Sequence, residues 1–238
     1  MRRIVVSNIS VDVVRKNIKN LHLAVYPPNG RVRVAVPLRM NDDAVRLAII
    51  SRLAWIKRHQ VKFAGQERQS AREFVSGESH YFQGKRYRLN VVYHNAAPRV
   101  AIRNKSTIDL FVREGSDRFQ RQRVLAEWYR RQLKEQIPSL IEKWNSLINV
   151  SVAEWGVKQM KTKWGTCNSK ARRIWLNLEL AKKPVHCLEY IIVHEMLHVL
   201  ERKHNDRFKT LLDKFLPRWR LYKEELNRMP LGHDDWVY

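Results

Sequence analysis

Four residues in this chain have the types and spacing to do metal chemistry: His194, Glu195, His198 and, six residues further on, His204. Three of them stand in the run Ile191-Ile192-Val193-His194-Glu195-Met196-Leu197-His198-Val199-Leu200, which reads HExxH inside an apolar, helix-like stretch. Histidines at i and i+4 leave the same face of a helix, so both imidazoles can converge on one cation. A glutamate one residue after the first histidine is placed to reach a water beside that cation and take its proton. Zinc in catalytic sites keeps three protein ligands and one open position, so a third ligand is required, and His204 is the candidate. Glu201-Arg202-Lys203 is polar, and Asn205-Asp206 has the form of a cap for a following helix over Arg207 to Phe215. A turn there would swing His204 back over the metal. At this chain's His and Glu frequencies, HExxH arises by chance in roughly one or two of a hundred such sequences. The plain alternative is a buried helix carrying two hydrogen-bonded core histidines.

With 238 residues, 44% hydrophobic content and eight Trp, the chain can bury a proper core, as one large domain or two small ones. No apolar run reaches bilayer length. Met1-Arg2-Arg3-Ile4-Val5-Val6 is too short and too soon polar for a secretory signal, so a cytoplasmic protein without a membrane partner is expected. Cys167 and Cys187 are too few for a disulfide framework, and that compartment would keep them reduced. The net charge is +23. Residues 1–150 carry 29 basic against 12 acidic side chains, and residues 151–238 carry 17 against 11. The excess therefore lies mainly away from the HExxH segment. It suits a nucleic acid or nucleotide partner, or simply a solvated basic surface, and no nucleic-acid-binding motif accompanies it.

The elements that must position these residues follow from local pattern. Ile4 to Val14 and Leu21 to Val25 are β-branched runs, and Arg31 to Val36 alternates basic and apolar, as a half-exposed strand does. Pro27-Pro28-Asn29-Gly30 marks a hairpin turn between the last two. Asn41-Asp42-Asp43 caps a helix expected to run to about Phe63. A loop is expected over Gly65 to Glu73. Two strands follow around Gln83-Gly84, then further strands at Val100 to Ile102 and Thr107 to Val112. Ser116-Asp117 opens a long helix to about Leu147, which Pro138 is expected to kink or divide. Strands are expected at Ile148 to Trp155 and Arg173 to Leu178. Pro184 suits the first turn of the HExxH helix. A last helix spans Trp219 to Asn227, and the tail from Gly232 is expected to be loosely ordered. No internal repeat is found in the sequence.

Between the last two strands stands Lys161-Thr162-Lys163-Trp164-Gly165-Thr166-Cys167. Taken with Asn177, His194-Glu195-Met196-Leu197-His198, His204 and Phe208, it resembles the YgjP-like metal-dependent hydrolases, a group related to the WLM and SprT/Spartan-type zinc peptidases. The group's K-x-x-W-G-x-C segment, I-x-L-N strand, HExxH and third histidine are matched at Lys161, Trp164, Gly165, Cys167, Asn177, His194, Glu195, His198 and His204. Trp55-Ile56 and Gly77-Glu78 extend the likeness into the first half. The chain departs from the pattern at Val199 to Lys203, where Glu201 stands in place of a histidine sometimes found there.

The resemblance implies an α+β fold. Residues 1–115 would form a β-rich N-terminal module with one helix. Residues 116–238 would form a helical linker and a minimal zincin-like core, a short antiparallel sheet beside the HExxH helix. It also implies Zn2+ on His194, His198 and His204, with Glu195 activating water, in a metallopeptidase whose substrate is a peptide or protein. The strand from Ile174 to Leu178 would line the cleft and pair with an extended peptide. Cys167 is read as structural, because a fourth protein ligand would close the position that water needs. Trp164-Gly165 is read as a packed turn, Lys161 as a surface lysine, and His186 as lying outside the site. Two other readings stay open: a metal-dependent nucleotide phosphohydrolase, an activity assigned to part of the group, and a nucleic-acid-binding protein with a structural metal site. Nothing in the sequence sets the oligomeric state.

Overall fold

A computed structural model of the chain describes residues 2–26, 29–64, 72–160 and 163–228. The expectations for Pro27-Pro28, Lys161, most of the 65–73 loop and the tail from Gly232 lie outside the described residues. Contacts divide the chain into two compact units, Met1–Arg68 and Gln69–Tyr238.

The first unit contains β1 (Arg2–Val6), β2 (Ile9–Lys16), β3 (His22–Tyr26), β4 (Arg31–Pro37), α1 (Asp42–Ile50) and α2 (Leu53–Ala64). Its sheet has the order β1-β2-β4-β3, with two antiparallel hairpins joined through a parallel β2–β4 pair. Ser7 and Asn8 both adopt positive φ in the two-residue β1–β2 turn, which suits the strand twist. In β4, Val32, Val34 and Val36 are buried while Arg31 and Arg33 look partly outward, as the alternation requires. Asp12, buried in β2, accepts hydrogen bonds from Arg3 and Arg31. The Asn41 cap is formed, its side chain accepting from the Ala44 amide at 2.8 Å. The helix nevertheless stops at Ile50 rather than running on to Phe63. The Ser51 hydroxyl and the Arg52 guanidinium both donate to the Ala48 carbonyl, at 3.0 Å and 3.0 Å, so side chains satisfy the turn and the chain restarts as α2.

The second unit opens with β5 (Ser79–Phe82), β6 (Lys85–Tyr93), β7 (Arg99–Ile102) and β8 (Thr107–Val112), in the order β5-β6-β8-β7. Here too antiparallel hairpins flank a parallel central pair, so the sheet repeats the order and strand senses of the first one. No internal sequence similarity marks that repeat. Next comes α3 (Arg118–Ile148), started by a capping box between Asp117 and Gln120. It is a single 31-residue helix and passes through Pro138. Proline removes one backbone bond there, but Leu133, Ile137, Ile141 and Trp144 on both sides are buried in one core that holds the helix together. Asn149, at φ 58 and ψ 45, terminates it, so the strand expected from Ile148 begins later, as β9 (Glu154–Lys158).

β10 (Gly165–Asn168) and β11 (Arg173–Asn177) complete a third sheet of order β10-β11-β9, antiparallel on one side and parallel on the other. A 3₁₀ turn (Leu178–Lys182), α4 (Val185–Leu197), α5 (Asp206–Phe215) and α6 (Trp219–Arg228) follow. The fold is α+β, with three small mixed sheets. Leu89 and Leu110 of the second sheet share one hydrophobic core with Leu125 and Leu133 of α3 and with Leu188 and Ile192 of α4. The second sheet thus goes with the HExxH helix, and the contact boundary falls near residue 68, not at the expected 115. The β5–β6 turn reinforces this. Gln83 and Gly84 donate their amides to the carbonyls of Ala181 and Lys182 at 2.9 Å and 3.1 Å. Gly84 has φ +78, and a Cβ there would lie 2.6 Å from the Pro184 ring at the start of α4.

His80 in β5 links this packing to pH. It is 5% exposed, with its ring against Phe74 and Nε2 3.2 Å from Glu78. Burial, only partly opposed by Glu78, holds its pKa down at about 4. Between its ordinary value near 6.5 and about 4, the unfolded chain binds the proton that the folded chain refuses, so stability falls as pH drops through that window. His80 should account for about 3 kcal/mol of the loss by pH 4. Urea midpoints at pH 7 and pH 4.5 should therefore converge in His80→Leu relative to wild type.

Candidate metal centre

α4 is apolar on nearly every side: Leu188, Ile192, Val193, Met196 and Leu197 are all buried, which fixes the helix in the core and leaves little freedom in its rotation. His194 and Glu195 lie in its last turn and His198 is its C-cap. The chain then turns, with the amides of Leu200 and Glu201 bonding the Leu197 carbonyl, and Asn205 caps α5 by accepting from the Phe208 amide at 3.0 Å. That turn carries His204 back toward the helix. Its Nε2 lies 2.9 Å from Nε2 of His194, and one ring nitrogen from each of His194, His198 and His204 falls within 4.8 Å of the others.

All three imidazoles rest on one side chain. The Phe208 ring, 1% exposed, stacks on His198 at 4.7 Å and meets His194 and His204 edge-on at 4.9 Å each. The protonation states suit a cation. His198 Nδ1 is 3.0 Å from the Glu201 carbonyl, which can only accept, so the proton sits on Nδ1 and Nε2 keeps its lone pair. Thus Glu201 serves the site through its backbone carbonyl. Burial, with His198 and His204 close by, holds His194 down at about 3, and burial and His198 also lower His204. Imidazole nitrogens crowded this closely form a donor set that fits a divalent ion. The His194 Nδ1 is buried without a hydrogen-bond partner among the described residues.

Glu195 is 5% exposed and lies against the start of β10. A Cβ on Gly165 would stand 2.7 Å from its Oε1 and 2.8 Å from its Cγ, which explains a glycine there: nothing larger leaves room for the carboxylate. Burial, partly countered by Lys163, pushes the carboxyl up to about 8. Asn177, buried at the end of β11, holds the preceding segment in place. Its side-chain amide donates to the carbonyls of Met160 and Lys163 at 2.9 Å and 2.8 Å, and its oxygen accepts from Glu179.

A cleft of about 560 Å³ opens over the histidines, walled by β10, α4 and α6. β10, not β11, lines it. The sequence placed the cleft strand at Ile174 to Leu178, but β11 is central in its sheet and β10 is the edge, because the Trp164-Gly165 turn leads directly into a strand. Cys167 is in the cleft wall and outside the histidine trio; burial and then Glu195 push its thiol up to about 11. Sequence reasoning missed two contributors, Tyr190 and Lys223, and had Phe208 only as a match to the family pattern, without its role. Tyr190, one turn before His194, was within reach of the i, i+4 argument. The support that Phe208 gives the three imidazoles and the approach of Lys223 from α6 depend on tertiary packing and leave no local signal. His186 lies in a separate group with Cys187 and Glu225, its Nε2 2.5 Å from Glu225 and its ring over Tyr222.

Clustered imidazoles beside a buried glutamate and a sheet edge are the constellation of a metal-dependent hydrolase. Residues 19–229 match the YgjP-like metallopeptidase domain, and the chain belongs to that family. No curated protein matches it. Among the described residues, no helix is long and apolar enough to cross a membrane.

Proposed function

We propose that this protein is a zinc-dependent metallopeptidase acting on extended polypeptide, with His194, His198 and His204 as metal ligands and Glu195 as the proton-transfer group. The carrying observation is the convergence of the three imidazoles next to a glutamate packed against the glycine that begins an edge strand. A three-nitrogen donor set favours zinc over magnesium or calcium, which prefer oxygen ligands. When bound, the ion supplies Lewis acidity, acidifying water and polarising the scissile carbonyl. Glu195 takes the proton of the attacking water and returns it to the leaving amine. Its dry surroundings, only partly offset by Lys163, raise its proton affinity, which suits a group that must hold a proton between the attacking water and the leaving amine. β10 has no strand on its outer side among the described residues, so its backbone groups can pair with substrate as an added strand. Trp164, Tyr190, Ile191 and Leu226 give the cleft apolar walls for side chains.

The phosphohydrolase reading is weaker on one specific point. Magnesium needs carboxylates, and among the described residues lining the cleft Glu195 is the only one. The test is metal removal. Cleavage of an unfolded protein such as casein should disappear on chelation and return with about one equivalent of zinc. Hydrolysis of nucleoside triphosphates with magnesium, and no cleavage of any polypeptide, would overturn the proposal.

A further inference from the structure

The charges around the cleft point to the kind of polypeptide it takes. Lys163, Arg202 and Lys223 all line it, from three separate places: the approach to β10, the turn between α4 and α5, and α6. Against them stands a single carboxylate, Glu195, which is buried and packed against Gly165. None of the three cations is in an ion pair among the described residues, whereas Lys143, Lys182 and Arg220 of the same unit are matched with Glu189, Glu179 and Asp213. All three are exposed, so their charged ends are available to a ligand.

Lys223 is the most firmly placed. Its ammonium lies 5.6 Å from the Trp219 ring, and Trp219 is tied to Asp213 by a 2.8 Å bond from its indole nitrogen. The helix beneath is fixed to α4 by the His186–Glu225 contact and by Tyr222 against His186. Its charge acts on His194 and His204, while that of Lys163 acts on Glu195, so both cations stand close enough to the candidate centre to be felt there. A positively charged substrate side chain beside the cut would meet three like charges and a dication, and among the described residues lining the cleft the one carboxylate, Glu195, is buried.

Resting on the peptidase reading above, we infer that the cleft selects polypeptides with acidic side chains flanking the scissile bond, and that Lys223, with Lys163 and Arg202, sets this preference. The edge strand and apolar walls suit an extended chain, and the cations suit its carboxylates.

The experiment takes a peptide the zinc-loaded protein cleaves and resynthesises it with Glu, Gln or Lys at positions flanking the cut. The Glu form should exceed the Gln form in kcat/KM by roughly tenfold, with Lys lowest. Lys223→Gln should reduce the Glu-to-Gln ratio by about threefold, and Lys223→Glu should bring it to parity or below. Binding of the same peptides to full-length Glu195→Gln protein should show the same order, and raising NaCl from about 0.05 to 0.5 M should compress it. Equal rates for Glu and Gln peptides, or a ratio untouched by either Lys223 variant, would overturn this inference and leave the peptidase standing. Failure to cleave any peptide, with nucleoside triphosphates hydrolysed instead, would remove both.

Discussion

Glu195→Gln protein is expected to bind metal as the wild type does and to turn over peptide about 10²–10⁴-fold more slowly. Glutamine keeps the size and the packing against Gly165, but its amide oxygen is far too weak a base to take a proton. The loss should fall on kcat, since the histidines, β10 and the cleft walls that bind substrate are untouched. Gly165→Ala approaches the same group from the other side. Its methyl would enter the space held by the carboxylate, 2.7 Å from Oε1, so Glu195 must move and kcat should fall by about 10²-fold with metal content unchanged. Steady-state kinetics beside metal analysis of both variants read the outcome. Wild-type turnover in Glu195→Gln would exclude this residue as the proton carrier.

Removal of any one imidazole should have a different signature: loss of the metal itself. Even outer partners of ligands are worth 10–100-fold in affinity, so His194→Ala, His198→Ala and His204→Ala should each weaken zinc binding by more than about 10²-fold and abolish cleavage. Zinc at about a thousand times its Kd should stabilise the wild type by about 4 kcal/mol and raise the thermal midpoint, and this rise should vanish in all three variants. His204 gives the sharpest reading because it is exposed and its replacement disturbs the core least. A His204→Ala protein that retains one zinc per chain would remove it from the ligand set.

The site was legible in the sequence wherever the geometry is local. Two histidines four apart on an apolar run, a glutamate between them, a third histidine six residues on and an Asn cap directly after it need only helix periodicity and capping rules, and the structure brings the three imidazoles together. The α+β class and most strands followed from alternation in the same way. What escaped depends on contacts between distant segments. Pro138 did not break α3 because buried residues on either side outweigh one missing bond. The helix after Asn41 broke where Ser51 and Arg52 reached the Ala48 carbonyl, a choice no periodicity records. The edge strand was assigned to the wrong segment because edge and centre are properties of a sheet, not of a strand. The second sheet's place with α4 depends on a core assembled from residues a hundred positions apart.

Phe208 has a further consequence for the life of the protein. Since one ring touches all three imidazoles, and Phe208 belongs to the first turn of α5, occupancy of the metal and anchoring of α5 are thermodynamically linked. Ions that hold the histidines in register also hold the helix that supports them. Without the ion α5 is then expected to be held less firmly, which faster amide exchange over 206–215 in metal-free than in zinc-loaded protein would register.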